Sequence, residues 1–86
     1  MINYRTAPVH YMLSGMKRYA EEGIRPGAFL CAVLENDLLA AVQTADGANL
    51  KALVDWVGFC YSELPVDIWG SPAKVTAHVL SFYKEN

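Results

Sequence analysis

The chain has 86 residues, 53% of them apolar or aromatic and 19% charged, with a formal net charge of −2. That length predicts one domain, residues 1–86, burying only about 60–65% of the surface its unfolded chain would expose. Seven Lys and Arg in no run longer than two exclude a general nucleic-acid binder and a polybasic membrane-surface segment, and the longest uncharged apolar run, 27–34, is far short of the roughly 20 residues of a membrane span.

Residues 1–6 form a polar lead, after which Thr6-Ala7-Pro8 offers the hydroxyl cap and first-turn proline of a helix. Val9, Met12, Leu13, Met16, Tyr19 and Ala20 then fall on one stripe of an amphipathic first helix. Gly15 weakens that helix by about 1 kcal/mol relative to alanine and is read as a close helix crossing, and Gly23 ends it as a left-handed cap. Pro26 opens a second helix, whose residues Phe29, Leu30, Val33 and Leu34 share one face while the small Cys31 and Ala32 lie on the other. This is the predicted central, buried helix. The polar triplet Glu35-Asn36-Asp37 predicts a break near Asn36 with a cap for a third helix reaching Thr44, against the alternative of one helix over 26–45 with the triplet on its outer face.

Asp46 reads as the cap of a fourth and longest helix, with a core stripe of Leu50, Leu53, Val54, Val57, Tyr61 and Leu64 and with Cys60 beside it. Trp56 and Phe59 lie roughly 100° and 160° from the centre of that stripe. They are therefore either sandwiched in the fold or an interface for a partner. Leu64-Pro65 stops the helix, Trp69 is expected to plug the core from a hydrophobic connector, and Ser71-Pro72 starts a last helix carrying Val75, Val79, Phe82 and Tyr83, with Lys84 suited to its negative end. The predicted fold class is all-α, a compact orthogonal bundle of four to five helices.

So small a surface cannot hide this apolar excess, which predicts homo-oligomerisation or a partner-binding face. The N-terminus lacks a charged start followed by an apolar segment, and Cys31 and Cys60 sit in apolar helical sequence. Both features predict a cytoplasmic protein with two free, buried thiols. His10 and His78 bring no ligand spacing, so neither a metal nor a cofactor is expected. Burial suppresses the thiolate that a catalytic Cys31 would need, and binding rather than catalysis is expected. Arg25 and Gly27 at a helix start could hold an anion, with Tyr61 or Trp69 as an aromatic face for a base, which together would make a nucleotide pocket. The simpler reading is that Arg25 pairs with an acid and the aromatics are core. Asn36 and Asp37 could likewise recognise a donor-rich ligand, or serve as caps alone.

Pro26-Gly27-x-Phe29-Leu30-x-Ala32-Val33-Leu34-Glu35-Asn36-Asp37-Leu38, Ala45-Asp46-x-x-Asn49, Leu64-Pro65 and Trp69-Gly70-Ser71-Pro72 together resemble a group of short accessory proteins encoded by phages, prophages and their bacterial hosts. The likeness spans residues 10–80 and is most specific in its first block. It implies action by binding, as an inhibitor of a host defence system that docks on a host protein or sequesters a nucleotide signal. No catalytic motif comes with it. The alternative is a structural homo-oligomerisation module without a small-molecule ligand.

Overall fold

Helical spacing of apolar residues is realised throughout, and the computed structural model describes residues 2–83. Its α-helices are α1 (Leu13–Glu22), α2 (Ala28–Leu34), α3 (Leu38–Thr44), α4 (Gly47–Lys51), α5 (Leu53–Glu63) and α6 (Pro72–Ser81), joined by 3-10 turns at Tyr4–Thr6, His10–Met12 and Val66–Ile68. The described residues contain no strand. The fold is an all-α compact bundle. Its radius of gyration of 12.1 Å matches the roughly 12 Å expected of a compact chain of this length. Met1 and the expected helix-end cation Lys84 lie outside the described residues.

The first helix starts later than Thr6-Pro8 suggests. The Thr6 hydroxyl turns back to the Asn3 carbonyl at 2.9 Å, and the turn at His10–Met12 leads into α1. Met16 and Tyr19 bury the stripe, and Gly23, at φ 69°, closes α1 by donating to the Tyr19 carbonyl. Gly15 marks no close crossing, because a Cβ there would meet Leu30 Cδ1 at an ordinary 3.9 Å.

Five of the seven residues of α2 are buried. Beyond it the chain does break, as the polar triplet suggests. Asn36 takes φ 62°, its N–H donates to the Val33 carbonyl and the Asp37 N–H to the Ala32 carbonyl, a left-handed helix stop. The Asp37 carboxylate then accepts from the Ala40 N–H at 3.1 Å and starts α3. Asp46 caps α4 in the same way, accepting from Asn49 N at 2.8 Å. The expected fourth helix is divided at Ala52 into α4 and α5, which raises the helix number among the described residues to six, although bonds from Ala52 N to Ala48 O and from Trp56 N to Ala52 O carry the coil across the bend.

The orientation of α5 corrects the expected core stripe. Trp56, Phe59 and Cys60 face inward, whereas Val54 is 82% and Tyr61 80% exposed and Leu50 and Val57 are about half exposed. Of the two alternatives for Trp56 and Phe59, the structure takes the sandwiched one, and neither ring is exposed as an interface. The reason is area and pairing: Trp56 packs edge-on against Phe29 and Phe59, at 6.5 and 5.8 Å between centroids, and its indole N–H donates to Asn49 Oδ1 at 2.9 Å. Aromatic rings bury more apolar surface than valines, and a buried indole needs an acceptor. Helix α6 starts at Ser71-Pro72 as expected and buries Val75 and Val79, while Phe82 and Tyr83 remain exposed. His78 donates from Nε2 to the Tyr19 carbonyl at 2.8 Å between the rings of Tyr19 and Phe82.

Two substitutions test this packing. Asn49→Ala strands the buried indole N–H, and urea denaturation will show a loss of about 1–3 kcal/mol. Gly23→Ala places a methyl group against the Phe82 ring at a left-handed φ, so it will cost about 1–2 kcal/mol for the backbone alone and lower Tm by several degrees.

Candidate functional site

With the aromatic face of α5 turned inward, its aliphatic face is left in water beside α3. Leu38, Leu53, Val54, Val57, Gly58, Tyr61 and Trp69 line an open groove of about 580 Å³. Leu38, Leu53 and Val57 also border a pit of about 40 Å³ with Ala32, Val33, Asn36, Asp37 and Ala41. The floor at Gly58 is bare, with no neighbouring atom where a Cβ would stand. No charged residue lines the larger groove.

Each wall has a local cause. Leu38 is the first residue of α3, set in place by the left-handed Asn36 and the Asp37 cap. Trp69 is held by its neighbours on both sides. The Tyr19 hydroxyl donates to the Ile68 carbonyl at 2.6 Å, and Gly70 N donates to the Leu34 carbonyl at 2.6 Å with Gly70 at φ 110°. Trp69 is partly buried: it packs against the core as expected without being enclosed, and it also edges the groove.

Of the residues singled out in the sequence, the fold gathers Tyr61 and Trp69 along the groove, with Asn36 and Asp37 at the adjoining pit. Arg25 and Gly27 line neither cavity. The Arg25 guanidinium lies 3.5 Å from Glu35, donates to Thr76 Oγ1 at 3.1 Å and approaches Cys31 Sγ at 3.8 Å, so its charge is already matched by an acid. Gly27 precedes α2 in extended backbone with open space around it. The anion corner and the aromatic pair thus do not form one pocket. Sequence reasoning missed Leu38, Val54, Val57 and Gly58 as site residues. A usable signal was present: α5 is apolar on two sides, and Asn49 stands seven residues before Trp56, two turns away, as an acceptor for an inward indole.

Outside the groove, burial governs the two thiols. Burial pushes the Cys60 thiol up to about 12, and burial, with Glu35 nearby, also raises that of Cys31. Both cysteines are free, Cys31 half-buried and Cys60 fully enclosed. The Tyr11 hydroxyl donates to the exposed Asp46 cap, lowering that carboxyl and raising the phenol. Among the described residues no three His, Cys, Asp or Glu side chains gather as a metal site requires, and no helix is long and apolar enough to cross a membrane.

The thiols give a direct check. Iodoacetamide at pH 8 will label Cys31 first and Cys60 only on unfolding, both more slowly than a free thiol. An ordinary thiol ionises near 9.0 and that of Cys60 near 12. Its neutral form therefore favours the fold fully below pH 9, and that contribution is lost as pH rises from 9 toward 12, which alkaline unfolding of wild type against Cys60→Ala will show as a shallower slope in the variant.

No family model matches the chain, and neither a curated protein nor a solved structure matches it.

Proposed function

We propose that the protein is a small accessory protein that acts by binding, docking another protein surface in the apolar groove between α3 and α5. The observation that carries this reading is the exposed, uncharged groove centred on Val54, Val57, Gly58 and Tyr61. Exposed apolar surface of this extent in a small domain is a common mark of a binding site, and a helix face with apolar side chains three and four residues apart suits a helix or ridge laid against it. The resemblance to phage and prophage accessory proteins supports an inhibitory role toward a host defence system. Docking is favoured over nucleotide sequestration, because phosphates need cations and Arg25 stands away from Tyr61 and Trp69 with Glu35 beside it.

Val54→p-benzoylphenylalanine, expressed in the native host and irradiated, will give a discrete adduct identifiable by mass spectrometry. The same residue at the exposed Glu22 of α1 will not. No adduct at position 54, or the same adducts at both positions, overturns the docking reading. Thermal melts with mono-, di- and cyclic nucleotides will show no shift; a shift abolished by Arg25→Ala would favour sequestration instead.

A further inference from the structure

The aliphatic face of α5 has a symmetry that a general hydrophobic patch lacks. Leu50 at the end of α4 and Val54, Val57 and Tyr61 of α5 are separated by four, three and four residues, a spacing that reads the same in both directions. Such a stripe is a seam of about three turns of the kind that packs against another helix. Leu50 stands across the Ala52 bend from the other three, on a coil that the bonds through Ala52 continue. We propose that this face pairs with the same face of a second copy of the chain, the two α5 helices crossing antiparallel about a two-fold axis between Val54 and Val57. The proposal rests on reading the groove as a protein-docking surface and names the occupant of that surface in the isolated protein.

In this register Leu50 lies opposite the partner's Tyr61, and Val54 opposite the partner's Val57. The smallest side chains of the face, Val54 and Val57 with Gly58 beside them, sit at the axis, where crossed helices approach most closely. The larger Leu50 and Tyr61 fill the space that opens toward the ends. An isologous contact requires each patch to complement itself. An uncharged groove meets that condition, since no like charges are brought together inside it, and a net charge of −2 per chain adds little long-range repulsion.

The exposure agrees as well. Leu38, Val42, Leu50, Val54, Val57 and Tyr61 are 44–82% exposed. Of these, Leu38, Val54, Val57 and Tyr61 line the groove, and with Val42 and Leu50 they are the exposed apolar side chains available toward the roughly 800 Å² per partner of a standard interface. The half-buried Leu53 and Trp69 and the bare Gly58 backbone border the same groove and extend the contact.

The test uses the full chain at rising concentration in analytical ultracentrifugation. Wild type will sediment at twice the chain mass, and Val54→Glu and Val57→Lys will each sediment as monomers with unchanged circular dichroism and melting. Mixed in equal amounts, the two variants will recover a dimer, because the proposed register sets the Glu of one against the Lys of the other. If either variant fails to fold, Tyr61→Ser at the edge of the face replaces it and will shift the dimerisation midpoint to at least tenfold higher concentration. A dimer that persists in these variants, or a mixture that stays monomeric, overturns the pairing. Wild type that remains monomeric while position 54 cross-links to a different protein also overturns it and leaves the docking reading standing. A monomer with no adduct at position 54 overturns both.

Discussion

Helix α2 is enclosed along most of its length, and a helix so placed cannot leave its final carbonyls to water. Burial of Phe29, Leu30, Val33 and Leu34 is worth roughly 1.5–3 kcal/mol each before chain entropy is subtracted, and it stabilises the bundle only if the polar end of the helix is also satisfied. Four backbone donors meet that need: Glu35 N bonds Cys31 O, Asn36 N bonds Val33 O, Asp37 N bonds Ala32 O and Gly70 N bonds Leu34 O. The first three turn the chain into α3. The fourth draws in the connector that carries Trp69. Leu38 and Trp69, which both border the groove, are thus both placed by the way one buried helix ends.

A second competition decides what the groove is made of. Helix α5 has apolar residues on two sides, and only one can face the core. Trp56 and Phe59 carry the larger area, and Asn49 gives the indole an acceptor that is itself buried, at 2% exposure. Once these residues are inside, Val54, Val57 and Tyr61 are outside. The exposed aliphatic surface is the necessary complement of the aromatic core, and the groove follows from how α5 is turned.

Much of this was legible from local chemistry. The helix starts at Asp37, Asp46 and Ser71-Pro72, the stop at Gly23 and the burial of α2 each follow from a residue type acting on its own backbone within a few positions. What was not legible depended on contacts between distant residues. The start of α1 moved because Thr6 found the Asn3 carbonyl instead of a helix to cap. Trp69 was held at the groove edge by Tyr19 and Leu34, far away in sequence. The inward side of α5 could not be chosen from periodicity, since both sides satisfy it. Of the residues first considered for ligand binding, Arg25 is drawn to Glu35 and to Thr76, far away in sequence, and not to the groove that Tyr61 and Trp69 line, which no local pattern encodes.

Helix α5 therefore carries two independent requirements on opposite sides of one coil. Trp56, Phe59 and Cys60 answer to the core, whereas Val54 and Tyr61 touch mostly solvent. Exposed positions tolerate change with small effects on stability. The groove can therefore vary in shape and chemistry over successive generations while the bundle beneath it stays intact. A chain built this way can change the groove without first having to become more stable.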